Sequence, residues 1–268
     1  MTTDLERELG VADLDVRIAA LMRVKAEPAA ALSDAELDAL VACLGSASKA
    51  VQRRASDALV ARASHDRRVV AAVRALLARD DPQARWGAAY ALGTIGGYAL
   101  DLGALDALLE ALDAGDGDLR WAAAQRVVEL GRRYSDRVCA ALIALAQVGS
   151  DTARKMALYC LRDLGAASDE VRILAERAAA DGNIHLRLAA LSLLGRLGDP
   201  NGRAAETVIR CLEGDSDPGV RRSAAATLGL LGNHSPRVIS ALRLAAADAG
   251  DESLRRSAAR ALKRLAER

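Results

Sequence analysis

Three histidines, four cysteines and two tryptophans are the residues from which this sequence would have to build chemistry. A metal centre needs His, Cys or carboxylate ligands at spacings that converge on one point. His65 and His234 occupy the same loop place in a repeated unit, and His185 stands at the start of a helical pattern, so no two lie at ligand spacing. Cys43, Cys139, Cys160 and Cys211 are far apart without a CxxC pair, which points to reduced, packed thiols. No Ser-His-Asp or Cys-His pairing stands out, and Cys160 reads as packed between repeats instead of nucleophilic. The glycine-rich GTIGGYALDLG (Gly93 to Gly103) follows a helix and not a strand, so it ends a helix and does not cradle a phosphate. Neither a catalytic constellation nor a cofactor is expected. The rings are different: DPQARWGAAYALGTIGG (Asp81 to Gly97) places Trp86 and Tyr90 one helical turn apart in a chain with no Phe, two Trp and four Tyr.

The elements that carry those rings follow from composition. The 268 residues are 51% hydrophobic but only 2% aromatic, with Ala dominating the apolar set, which favours closely packed helices over a core of large rings. Charged residues make up 27% and cancel to +1, against a general nucleic-acid coat. The opening MTTDLERELG is acidic, and no run approaches 18 apolar residues, so neither a signal peptide nor a membrane span is expected and a cytoplasmic location is the default.

One pattern recurs along the whole chain. Aligned on an anchor residue it gives Arg17, Gln52, Arg85, Arg120, Arg154, Arg187, Arg221 and Arg255, spaced 33 to 35 residues apart. Three residues on, every copy has alanine: Ala20, Ala55, Ala88, Ala123, Ala157, Ala190, Ala224 and Ala258. Seven residues on stands Val or Leu. An alanine fixed at one helical position marks a close backbone approach, and the branched residue a turn later fills the adjoining core. Four residues before the anchor stand Asp13, Ser48, Asp81, Asp116, Ser150, Asn183, Asp217 and Asp251, all preferred N-cap types, with Pro82 and Pro218 directly after two of them. Gly96, Gly131, Gly165, Gly198 and Gly232, eleven residues past the anchor, are expected as left-handed C-terminal caps. A second, shorter helix per repeat is opened by Ser33, Ser64, Asp101, Ser135, Ser168 or Ser235.

Two helices per repeat, stacked in line, predict an all-α α-solenoid of about eight units, expected to wind as a right-handed superhelix. Residues 1–268 are expected as one solenoid, with 1–30 a degenerate N-terminal capping repeat, 31–250 the regular repeats and 251–268 a C-terminal capping helix. The pattern D-x-x-x-R-x-x-A-A-x-A-L-G-x-L/I-G, in Asp81–Gly96 and Asp217–Gly232, resembles the short HEAT-like repeats first associated with phycobilin lyases. That resemblance implies that the anchor arginines and capping aspartates form a hydrogen-bonded ladder between repeats, and that the anchor helices line a concave surface. Some HEAT-like enzymes, the deoxyhypusine hydroxylases, hold iron with His-Glu dipeptides; here no His is followed by Glu.

At 100° per residue, positions 0, 3, 7 and 10 of the anchor helix form the core side and positions 1, 5, 9 and 12 lie opposite. Trp86 and Trp121 are position 1; Tyr90 and Tyr159 are position 5; Tyr98 and Tyr134 fall just past helix ends. Trp86, Tyr90, Trp121, Gln125, Lys155 and Tyr159 are therefore expected to form one partner-binding patch over three repeats, flanked by Asp57, Glu129 and Asp163. Arg196, Arg222, Arg256 and Arg260 extend that face toward the C-terminus as a place for an acidic segment. A non-enzymatic protein-binding scaffold follows. A bilin lyase subunit or tetrapyrrole chaperone holding a small planar ligand is the alternative, and nucleic-acid binding is a minor one disfavoured by the charge balance.

Overall fold

The computed structural model describes residues 3–95, 103–199 and 201–267. Among these the chain is all-α, with sixteen α-helices and no strand. The anchor helices are α2 (Leu14–Ala26), α4 (Lys49–Arg62), α6 (Pro82–Ile95), α8 (Gly117–Arg133), α10 (Asp151–Leu164), α12 (Ile184–Leu197), α14 (Pro218–Leu231) and α16 (Glu252–Ala266). Each follows a partner helix, shorter than its anchor helix in every repeat but one: α1 (Asp4–Gly10), α3 (Asp34–Ala42), α5 (Arg68–Ala75), α7 (Ala104–Ala111), α9 (Ser135–Val148, as long as α10), α11 (Asp169–Ala178), α13 (Arg203–Gly214) and α15 (Pro236–Ala246). The chain divides into two compact units, residues 1–138 and 139–268.

The recurring alanine sets the packing. All eight position-3 alanines have no exposed surface, from Ala20 to Ala258. Within each unit, successive anchor helices touch along much of their length, whereas successive short helices meet sparsely. A second close approach lies at position 8, where glycine faces position 6 of the next anchor helix. A Cβ on Gly229 would stand 2.8 Å from the Ala261 Cα.

The N-caps largely follow the sequence pattern. Asp13, Asp81, Asp116, Ser150, Asn183, Asp217 and Asp251 each accept a hydrogen bond from an amide in the first turn of their anchor helix. Ser48 makes no such bond. Gly165 and Gly232 cap α10 and α14 in the left-handed region, and Gly198 ends α12 at φ 69° with extended ψ. Gly131 does not cap. It is buried inside α8, which runs on through Arg132 and Arg133 to Tyr134. Gly96, Tyr98 and Asp101 lie outside the described residues.

Among the short helices, Ser33 forms a capping box with Glu36, and Ser168 and Ser235 cap α11 and α15. Ser64 does not cap, because α5 begins only after Arg67, and Ser135 is the first residue of α9. At α13 the Asp199 carboxylate takes the role, accepting from the amides of Ala204 and Ala205.

The arginine ladder exists, but its partners differ from those the resemblance implied. The capping aspartates turn inward to their own helices, and the anchor guanidinium binds the loop before its helix and the residue six positions before the next anchor. Arg187 donates from Nε and Nη2 to the two oxygens of Asp215 at 2.7 and 2.9 Å, and from Nη1 to the Asp181 and Gly182 carbonyls. Arg154 likewise donates to Asp181 at 2.7 Å. Arg120, Arg221 and Arg255 bind main-chain carbonyls of their own preceding loops. Two of the capping aspartates, Asp116 and Asp251, also meet an arginine of the preceding repeat, Arg85 at 3.6 Å and Arg222 at 3.4 Å.

A different arginine fixes the longest described connection of the first unit. Arg62, only 2% exposed at the end of α4, donates to the carbonyls of Glu27 and Ala30 and so tethers the EPAAAL segment. A buried cation holds its place here because main-chain oxygens replace its water.

Burial alone would raise the Asp215 carboxyl, but the bonds from Arg187 and the Asp217 amide outweigh it and hold the carboxyl below its usual range. Asp181 is lowered first by the Asn183 amide, then by Arg154. Both ties thus contribute fully above the ordinary carboxylate range, near pH 4, and fade as pH falls through the lowered folded values. Melting of the protein should therefore drop steeply below about pH 4. Asp215→Asn should flatten that dependence while lowering neutral-pH stability by about 2 kcal/mol in urea titration.

Candidate functional site

The register places the indoles in water. Trp86 is 36% exposed and Trp121 is 62% exposed, although both sit on helices whose opposite faces are fully buried. They hold the same position on α6 and α8, neighbouring anchor helices in direct contact. Leaving a side chain of this size exposed forgoes roughly 2–3 kcal/mol of burial. Gln125, one turn beyond Trp121, is also exposed.

Trp86 and Tyr90 stack, with ring centroids 5.7 Å apart and planes inclined by 15°. The guanidinium of Arg126 lies 4.8 Å from the Tyr90 ring centre. Its other partner is Glu129, at 2.7 Å on the next turn of α8. Gly93 makes this reach feasible. A Cβ there would stand 2.3 Å from the Arg126 Cβ and 2.5 Å from its Cγ and Cδ, so the arginine stem crosses α6 where the side chain is missing. The rings are thus braced by the following repeat. Arg126 and Gly93 belong to this arrangement, and the signal for them was a glycine at position 8 facing a long side chain at position 6.

Acidity beside the rings is cancelled locally. Asp57 pairs with Lys25 at 3.0 Å and with Arg54 at 3.8 Å, and Glu129 pairs with Arg126.

The remaining sequence candidates belong to the second unit and are placed within it. Lys155 and Tyr159 are half-buried on α10, and the Arg162 guanidinium stands 4.9 Å from the Tyr159 ring centre while pairing with Asp163 at 2.7 Å. Arg196 and Arg260 are exposed. Arg222 pairs with Asp251 at 3.4 Å and Arg256 with Glu252 at 3.5 Å, so half of this cationic set already has a carboxylate neighbour.

Nothing among the described residues gathers three His, Cys, Asp or Glu side chains that would hold a metal ion. Cys160 is buried, and burial together with the Asp163 charge pushes its thiol up to about 12, far from a thiolate at neutral pH. No described helix is long and apolar enough to cross a membrane.

Paired helices in linear order, with a fixed small residue at each inter-repeat contact and rings on the opposite face, define a helical-repeat solenoid. The chain belongs to the HEAT-repeat family, whose pattern it matches over residues 37–127 and 171–263. No curated protein matches it. Among solved structures it is similar to the karyopherin Kap121p bound to the extreme C-terminus of the phosphatase Cdc14p, with TM-score 0.69 and 12% identity, covering 98% of this chain and 34% of that one. Kap95p, in a structure with RanGDP, gives TM-score 0.62 at 14% identity, covering 98% and 39%. Importin beta gives 0.60 at 17%, covering 98% and 40%. The chain therefore spans well under half the length of these karyopherins, and at such identities the likeness is one of fold.

The brace gives a direct test. Gly93→Ala should displace Arg126 from Tyr90 and destabilise the protein by about 1–3 kcal/mol in urea unfolding, the usual range for overpacking. Stability equal to that of the parent would mean that the two helices do not approach as closely as described.

Proposed function

We propose that this protein is a non-enzymatic scaffold that binds a protein segment on the exposed face of its anchor helices, with Trp86 and Trp121 as the principal contacts. One observation carries the reading: two indoles left in water at the same position of adjacent, tightly packed helices. Interface hot spots are enriched in tryptophan and arginine, because a rigid ring offers a large contact area at small entropic cost. Tyr90, held by Arg126, and Gln125 complete the contact in the first unit. Lys155, Tyr159, Arg196, Arg222, Arg256 and Arg260 are the corresponding contacts of the second unit, suited to a partner with acidic residues. Kap121p, which shares the fold, is seen bound to the end of another protein's chain, and that supports the reading by analogy of architecture.

The test is affinity capture of partners with the wild-type protein and with Trp86→Ala, Trp121→Ala and the double variant. Each single change should weaken capture about tenfold while helical circular dichroism and melting stay within error. Loss of folding in either single variant would return that ring to a structural role. A tetrapyrrole ligand would declare itself separately, through an absorbance shift of added bilin and quenching of the tryptophan fluorescence.

A further inference from the structure

Two anchor arginines, Arg17 and Arg85, have a buried Nε without an acceptor. Arg17 still donates from Nη2 to the Cys43 sulfur at 3.7 Å, whereas Arg85 donates no hydrogen bond to any described residue. Its nearest carboxylate is Asp116 at 3.6 Å, beyond hydrogen-bond range and occupied in capping α8. The second unit shows one partner that an anchor guanidinium can meet there, whereas Arg120 and Arg221, with Val148 and Ala249 at the matching position, bind main-chain carbonyls instead. Arg154 and Arg187 take the carboxylates of Asp181 and Asp215, each six residues before the following anchor. In the repeat after Arg85 the matching position is Ala114.

Ala114 and Arg85 both line a cleft of about 690 Å³ between α5, α6, α7 and α8. Its walls are mostly small and aliphatic, including Ala75, Ala111 and Leu119, and Arg74 stands at its side, 3.7 Å from Glu110. That volume lies within the range of small-ligand clefts. The equivalent cleft beside Arg221 is smaller, about 290 Å³, and there the guanidinium is engaged by the carbonyls of Asp215 and Ser216. A carboxylate arriving beside Asp116 creates no arrangement foreign to the fold, because Arg187 already has both Asp215 and the capping Asp217 as charged neighbours.

We propose that this cleft binds a carboxylate carried on a short aliphatic stem, with Arg85 as its anion partner in the role that Asp215 fills for Arg187, and with the alanine walls taking the stem. The site lies on core-side elements of the first unit and does not involve Trp86 or Trp121. A free aliphatic acid and a glutamate side chain of a peptide share this chemistry.

The experiment uses the full chain with sodium hexanoate, hexanamide and N-acetyl-glutamate amide as probes, at ionic strength matched with sodium chloride, read by calorimetric titration and melting. Hexanoate or the glutamate derivative should bind and raise the melting temperature, and hexanamide, of the same shape but uncharged, should not. Tighter binding of the glutamate derivative than of hexanoate identifies a peptide side chain as the source; the reverse identifies a free acid. Arg85→Gln should weaken binding about tenfold or more. Ala114→Asp supplies the carboxylate from within the chain, so it should raise the melting temperature of the unliganded protein by about 2–4 °C and abolish the response to the probes. Equal binding of hexanamide, an unaltered response in Ala114→Asp, or no response to either carboxylate would overturn the proposal.

Discussion

Eight alanines with no exposed surface, one on each anchor helix, decide the register of everything else. Two helices can lie this close only where both present small side chains, and that requirement fixes the rotation of every anchor helix about its axis. Once the rotation is fixed, position 1 turns away from the buried side that carries position 3. The exposure of Trp86 and Trp121 is thus a consequence of Ala88 and Ala123, and cannot be altered without repacking the row. Glycine extends the same logic at Gly93 and Gly229, where even a methyl group would meet the next helix.

Polar ties between repeats are laid over that apolar contact, and they differ between the units. In the second unit, Asp181 and Asp215 each reach the anchor arginine of the repeat before, with Arg187 and Asp215 as the fully bidentate case, while Arg221 and Arg255 hold main-chain carbonyls. The first unit relies more on main-chain acceptors, as where Arg62 holds the carbonyls of Glu27 and Ala30. Arg85 stands between these two solutions and uses neither. Near-identical repeats in one chain thereby serve as controls for one another, because a substitution such as Ala114 for Asp changes one term while the surrounding geometry is retained.

The sequence is most informative where the cause is local. Asp13, Asp217 and Asp251 cap helices whose first turns lie within three residues of them, and Gly165 and Gly232 turn the chain where a left-handed residue is needed. Position 3 was readable because repetition itself reports a shared contact. Gly131 misled because Arg132 and Arg133 continue the helix, so the glycine packs and does not turn. The partner of each anchor arginine was not legible from one repeat alone, since it stands about thirty residues away and depends on the residue two places before the next cap. The Arg126 brace on Tyr90 has the same character: it takes a glycine on one helix and a long side chain on another, and neither means much separately.

The unequal contact of the two helix rows also gives each unit a mechanical asymmetry. Bending that separates the short helices breaks little, because those helices touch sparsely to begin with. Bending the other way must part the anchor row, which is joined along much of its length. Each unit is therefore a spring that yields in one direction and resists in the other.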